Sequence, residues 1–419
     1  MRATFTKAIR YFVDIVCQSP LRTGGSGRDP KTVLVDSYQH PFVQGTSLAG
    51  AFRNWLNDPL LFSETDYRSP LMFSDLMLDD TELIVRPRLK IDGCSGTGAS
   101  GAKFDTAAIP AGTRGRFQLI WTGDADPDMV AALIERYLSA LNAGEITLGA
   151  QRANGFGRMS VSAVRRIYHM TNPHDLDAWL LGASVTDVQP VTLNVHSEQN
   201  VLFTVTASAP SILVKAAGSK RIKSDSKKDL TVFTSMEEAG RWVIPGSSLK
   251  GSIRSQMARI CTAFGYHPSE LERLFGRANH GTESGWVGVI QLSDGYLTGA
   301  QEIRVPRIRI NRLTGGIIPQ NLFFSDTLHT SLKFEIRISS DRKAGCALLL
   351  YALRDLGLGL YELGSGTAVG RGRLCDMKVH IQQADHRAQL EFCDDVIKLS
   401  DPDGLVSAWE NALRRKVLL

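Results

Sequence analysis

The residues best suited to chemistry are cations set among glycines and hydroxyls. The stretch Gly246-Ser247-Ser248-Leu249-Lys250-Gly251-Ser252-Ile253-Arg254 reads as a strand end, a tight turn and a helix start. Ser248 is the expected N-cap, its hydroxyl accepting a first-turn N–H. Leu249, Ile253 and Met257 recur at helical spacing and make an apolar stripe. Lys250 and Arg254 share the neighbouring stripe. A helix start carrying glycine, hydroxyls and cations suits an anion, although the same residues also describe an ordinary capped helix on a core. A second display is alternation. Arg307, Arg309 and Arg312 interleave with Ile308 and Ile310, and Arg88 and Lys90 with Leu89 and Ile91. Period-two spacing gives one cationic and one apolar strand face, which fits a polyanion or a solvated, half-buried hairpin. Nucleotide-fold readings fail. Ser252 stands where a phosphate-loop lysine is needed, and the glycines from Gly364 follow a helix with the wrong spacing for a dinucleotide turn.

Each display occurs twice. Gly45-Thr46-Ser47-Leu48-Ala49-Gly50-Ala51-Phe52-Arg53 repeats the turn, with Gly45, Ser47 and Arg53 in the places of Gly246, Ser248 and Arg254. The late loop from Leu148 to Arg158 repeats from Leu363 to Arg373, the second copy bringing Gly370, Arg371 and Arg373. Pro87 to Asp92 repeats as Pro306 to Asn311. The three features keep one order in both halves, so the chain is one domain written twice.

The elements that must position them follow from periodicity. The first half reads as a strand at Ala8–Cys17, a glycine-rich basic loop to Asp36, a helix from near Ser47, strands at Leu71–Leu78 and Glu82–Lys90, a glycine-rich excursion, a strand at Arg114–Trp121, a helix at Asp128–Leu141 and a strand at Arg158–Tyr168. That is the split βαβ, ferredoxin-like order of an α+β domain. The second half repeats it: a strand at Val201–Ser208, a basic loop at Lys215–Thr234, a helix from Ser248, a hairpin at Arg304–Asp326, a strand at Leu332–Ser339, a helix at Ala344–Glu362 and a strand at Arg373–Ile381. The expected boundaries are 1–170, a linker at 171–199 with a short helix, 200–383, and a C-terminal extension at 384–419 with a helix at Leu405–Arg415.

The G-[ST]-S-L-x-G-x-x-R turn and the late loop, here IPGSSLKG at Ile244–Gly251 and GSGTAVGRGR at Gly364–Arg373, resemble the RAMP superfamily of CRISPR-associated proteins. The likeness is to the repeated backbone subunit of type III effector complexes, and two fused units resemble the double backbone subunit of type III-D-like complexes. In the first half Gln44 replaces the usual proline and Ala49 the usual lysine. The resemblance implies two ferredoxin-like (RRM-like) domains, each with a β-hairpin thumb (about 82–113 and 302–327) that reaches bound RNA. It implies crRNA and target RNA as ligands, with a large polymerase-like subunit, a small helical subunit and other RAMP proteins as partners. Gly45, Ser47, Arg53, Arg88, Lys90, Arg158, Gly246, Ser247, Ser248, Lys250, Arg254, Arg307, Arg309, Gly370, Arg371 and Arg373 become the expected RNA contacts. It also implies a metal-dependent endoribonuclease acting on target RNA, through an aspartate in the loop after the first strand. By position these are Asp29 and Asp229, with Asp225 and Asp36 as alternatives. Such a carboxylate would hold Mg²⁺ or another divalent cation, or take a proton from a ribose hydroxyl; an aspartate before proline is equally an ordinary turn residue. The alternative is a non-catalytic RNA-binding scaffold or cap. No histidine recurs between the halves, which argues against a His-based processing nuclease.

Composition sets the outer bounds. The 419 residues, 43% hydrophobic and 22% charged, suit two soluble domains of ordinary size. A net charge of +5 leans towards polyanions, and six scattered cysteines without a C-x-x-C pair fit a reducing cytoplasm and no zinc site. No apolar run is long enough to cross a bilayer.

Overall fold

The computed structural model describes residues 5–24, 32–63, 68–91, 98–181, 187–194, 199–223, 229–266, 269–277, 284–393 and 396–417. The chain divides into two units, one built from Met1–Arg86, Asp105–Arg152 and Phe156–Ser197, the other from Pro87–Phe104, Ala153–Gly155 and Glu198–Leu419.

In the first unit, β1 (Lys7–Cys17) alternates strictly. Ile9, Tyr11, Val13, Ile15 and Cys17 point into the core, as period-two spacing requires. Then come α1 (Gly45–Trp55), β2 (Leu71–Phe73), β3 (Leu76–Leu78), the hairpin β4 (Ile84–Ile91) and β5 (Gly98–Ala108), of which Pro87–Phe104 counts with the second unit, β6 (Arg114–Gly123), α2 (Pro127–Ala143), β7 (Met159–His169) and α3 (Pro173–Leu181). β1 lies between β6 and β7, and β2 and β3 pair with β6, all antiparallel. This is the ferredoxin-like strand order. α1 buries Leu48 and Phe52, and α2 buries Val130, Ile134, Tyr137, Leu138 and Leu141, against one sheet face. α2 opens on Pro127 after Asp126, whose carboxylate accepts the Asp128 N–H, and closes on Gly144 at φ 77°, the usual asymmetry of helix ends.

The second unit repeats the plan with insertions. Its elements are β8 (Asn200–Ile212), β9 (Lys215–Lys223), β10 (Asp229–Ser235), β11 (Arg241–Ile244), α4 (Gly246–Phe264), α5 (Ser269–Phe275), β12 (Gln291–Leu292), β13 (Gly295–Ile310), β14 (Ile317–Ser339), α6 (Lys343–Gly357), β15 (Cys375–Gln383), β16 (His386–Cys393), β17 (Val396–Ser400) and α7 (Leu405–Val417). β8 sits between β14 and β15, and β16 and β17 extend the sheet. α4, α6 and α7 cover the apolar face, with Leu249, Ile253, Met257, Leu349, Leu353 and Trp409 in the core.

Three expectations need correction. Ser248 is not the N-cap: α4 starts at Gly246, Pro245 holds the cap position, and no side chain caps it from there. The basic run Lys215–Thr234 is not a loop but the hairpin of β9 and β10. The C-terminal extension contributes two strands as well as its helix. The cysteines described are all unpaired, three of them buried. Among the described residues no helix is long and apolar enough to cross a membrane.

Candidate nucleic-acid interface

Both signature turns are held by one device. The Gly45 N–H donates to Asp75 Oδ1 and the Gly246 N–H to Asp294 Oδ1, each at 2.7 Å. The acceptors belong to matching segments, Phe73-Ser74-Asp75 and Leu292-Ser293-Asp294. Ser74 Oγ accepts from the Gln118 N–H and Ser293 Oγ from the Glu335 N–H, both at 2.8 Å. Each glycine is required because a Cβ would meet a strand carbonyl, Phe73 O at 2.7 Å or Leu292 O at 2.6 Å. The helix start therefore already holds an anion, the protein's own carboxylate. The flank of the helix, not its first N–H, is the part left open to an outside anion.

On that flank the halves differ. Lys250 Nζ lies 5.8 Å and Arg254 Cζ 5.9 Å from the Phe275 ring centroid. Neither has an acidic partner among the described residues, and burial, then the charge of Arg254, pushes the Lys250 pKa down to about 8. Two cations stacked on a ring without counter-ions leave room for an outside anion. In the first half the lysine position is Ala49, and Arg53 is spent internally, on Asn57 Oδ1 at 3.2 Å and the Ser63 carbonyl at 3.2 Å. Ser47 and Ser248 are exposed and Ser247 half-buried, and the N–H groups of Ser47 and Ser248 bond to the Gln44 and Pro245 carbonyls.

The late loops share one hydrogen-bond pattern. Leu148 N–H reaches the Gly157 carbonyl and Gly157 N–H the Pro20 carbonyl; Leu363, Gly372 and Ser211 repeat the pattern at 2.7–3.0 Å. Gly157 and Gly372 have φ of 80° and 83°, and a Cβ on either would overlap the carbonyl oxygen of Leu148 or Leu363. Arg371 is 5% exposed, Arg373 and Gly370 lie at the surface, and Arg158 is half-buried with its N–H on Ser19 Oγ at 3.0 Å. The Arg371 pKa is lowered, by burial first and then by the charge of Arg307.

The second hairpin is braced at its base. Arg304 grips the buried Asp326 carboxylate with two bonds, at 2.8 and 2.9 Å, a fork geometry that fixes orientation. Beyond it Arg307 is half-buried and Arg309 exposed, while Ile308 and Ile310 are 48% and 54% exposed. The alternation therefore marks an arm with two open faces, not a half-buried sheet. Its tip presents Leu313, with Asn311 Oδ1 accepting the Leu313 N–H. In the first hairpin Arg88 is half-buried and bonded within the protein; the Lys90 side chain lies outside the described residues.

Of the aspartates, Asp29 and Asp225 lie outside the described residues. Asp229 opens β10 opposite Lys223, its side chain likewise outside them. β10 runs parallel to β14, pairing Val232 with Phe324 and Phe233 with Ser325, which sets that hairpin beside the arm. Asp36 Oδ1 accepts the N–H groups of Tyr38 and His40 and so closes its own turn. Among the described residues no three His, Cys, Asp or Glu side chains gather as a cation cage.

A family model of the RAMP superfamily matches residues 14–160 and again 232–375. This chain belongs to the RAMP superfamily. The two matched stretches cover more than half of its length, one per half, and each spans a signature turn, a hairpin and a late loop. Membership carries the coarse function of a CRISPR-associated RNA-binding subunit that works with RNA and other proteins. No curated protein matches the chain. What the sequence reading missed is the Ser-Asp pair. Gly45 and Asp75 are 30 positions apart, Gly246 and Asp294 48, because α5 and the segment after it are inserted in the second copy, so a fixed-offset comparison passes over it.

Proposed function

We propose that this RAMP protein is a double backbone subunit of a type III, III-D-like, CRISPR effector. It binds crRNA along both ferredoxin-like modules and cuts the paired target RNA. The observation that carries the reading is the unpaired Lys250–Arg254 pair on Phe275, in a module that the family model matches twice. Cations without counter-ions are costly to hold unless a ligand repays them. RNA phosphates do so, and they give affinity that falls steeply with salt. The partners are the large polymerase-like subunit, a small helical subunit and other RAMP proteins, in the cytoplasm.

Cleavage is assigned to Asp29 and Asp229, with Mg²⁺ or another divalent cation shared between carboxylate and phosphate. The test is target cleavage by the assembled complex carrying Asp29→Ala, Asp229→Ala or both, with and without EDTA. Loss of one distinct product band in each single variant is the expected result. Unchanged bands in all three variants would reject the assignment. A second reading, a scaffold half that only holds RNA, is favoured for the first module by Ala49 and by the internally committed Arg53. It predicts that Asp29→Ala alone leaves every band in place.

A further inference from the structure

The insertion that sets the second unit apart carries more than Phe275. Directly after α5 the pair Gly276–Arg277 runs antiparallel to Trp286–Val287, with Arg277 opposite Trp286. The frame is tight. A Cβ on Gly288 would stand 2.3 Å from the Leu274 carbonyl oxygen, and one on Gly276, at φ 84°, 2.7 Å from that of Trp286. The Ile290 N–H donates to the Leu274 carbonyl at 3.0 Å. The indole is fixed as well. Its Nε1–H donates to the Glu272 carbonyl at 3.1 Å, and the Arg277 guanidinium carbon lies 5.6 Å from the ring centroid. Yet Trp286 is 45% exposed. A ring pinned at its polar edge, backed by a cation and open to solvent is not placed to fill a core.

Phe275, one residue before this frame, is 6% exposed and carries Lys250 and Arg254 against its ring, at 5.8 and 5.9 Å. Arg277 follows two positions later, about 7 Å along an extended chain. An exposed indole and two cations without acidic partners among the described residues therefore share one end of α5. Single-stranded RNA is held by that combination, charge for the backbone and a flat ring for a base. The indole itself does not suit a phosphate, because the Glu272 carboxylate, 4.0 Å from the Arg277 guanidinium, would repel it. The first module lacks this display. Its link between α1 and β2 buries Phe62, and Ala49 and the internally bonded Arg53 stand where the second module has its cation pair. We propose that Trp286 is a base-stacking platform of the second module: an RNA strand that sets its phosphates on Lys250 and Arg254 lays one base on the open face of the indole. This rests on the RNA reading and deepens it by a contact made through a ring rather than a charge.

The test uses the full chain and a fluorescein-labelled single-stranded RNA, with binding measured across a potassium chloride series. Trp286→Leu keeps an apolar side chain and removes the aromatic face. It is expected to weaken RNA binding roughly five- to a hundredfold and to leave the salt slope unchanged, since stacking releases no counter-ions. Trp286→Phe keeps a ring and is expected to recover most of that loss. Lys250→Met, in the same series, should make the slope shallower by about 0.7. Wild-type affinity in Trp286→Leu overturns the platform and, with the Lys250→Met slope still shallower, leaves the RNA reading standing. A shallower slope in Trp286→Leu also overturns it, because the substitution then acts through the cations, and so does a Trp286→Phe as weak as Trp286→Leu. Should Trp286→Leu not fold, the wild-type chain gives an independent readout. Irradiation with bromouridine-substituted RNA is expected to cross-link the peptide that contains Trp286, and absence of that peptide among the cross-linked ones overturns the platform. A wild-type chain that binds no RNA rejects the RNA reading and the platform with it.

Discussion

A carboxylate that accepts the first N–H of a helix leaves no gap for an outside anion, and that decides what Asp75 and Asp294 are for. Each ties a signature turn to the strand beyond it, so Asp294→Ala strands the Gly246 N–H in a buried place. A loss of about 1–3 kcal/mol is expected on urea unfolding, and Asp75→Ala should cost a similar amount if the two turns are equivalent. Lys250 is the residue whose charge responds to pH. Its folded pKa, about 8, lies below the ordinary lysine value of 10.5. Between those values the unfolded chain binds the extra proton and the folded chain does not, so stability rises with pH across the window. Below the folded pKa both states are protonated and this contribution is constant. Lys250→Met should remove that rise, read as the difference between variant and wild-type urea midpoints across the window from about 8 to 10.5. An RNA phosphate beside Lys250 favours its charged form. RNA affinity should therefore fall more as pH rises through that folded pKa in wild type than in Lys250→Arg, whose guanidinium stays charged.

Among elements, the helix turn and late loop carry glycines of two kinds. Gly157 and Gly372 combine a left-handed backbone with a carbonyl where the Cβ would go. Alanine at either position should cost at least about 1–3 kcal/mol on thermal or urea unfolding. Gly251 sits inside α4, exposed, with no neighbouring atom within 4 Å of where a Cβ would stand. Gly251→Ala should raise stability by roughly 0.5–1 kcal/mol; a simultaneous drop in RNA affinity would show that the glycine clears space for a ligand. These elements are legible in the sequence because turn and loop chemistry is local: glycine, hydroxyl and arginine at fixed spacing mean the same thing in both halves. What escapes depends on distant pairing. The Lys215–Thr234 run lacks hydrophobic alternation over its length, and its second strand is held by β14, almost a hundred positions away in the chain. Ser248 resembles a cap because hydroxyls favour that position, yet the acceptor is Asp294, in the link between β12 and β13, which no local window contains. The proposal that Asp29 and Asp229 are catalytic rests on likeness to the family and not on geometry.

At the scale of the molecule, duplication explains why the plan can be read from sequence, and divergence explains why the two modules are not equal. The second keeps lysine and arginine free on the α4 flank; the first has lost the lysine and turned its arginine inward. RNA should therefore be held more strongly, and with more salt sensitivity, through the second module. Ala49→Lys tests whether the first turn still faces RNA, because it writes the missing cation back at a half-exposed helix position that tolerates a long side chain. If α1 lies along the RNA, the variant should bind single-stranded RNA more tightly at low salt and steepen the salt slope by about 0.7, the increment for one added phosphate contact. Stability should change little, since lysine and alanine are both good helix formers. An unchanged slope would mean that the first turn has become purely a structural joint, and that RNA meets the first module through its hairpin and late loop alone.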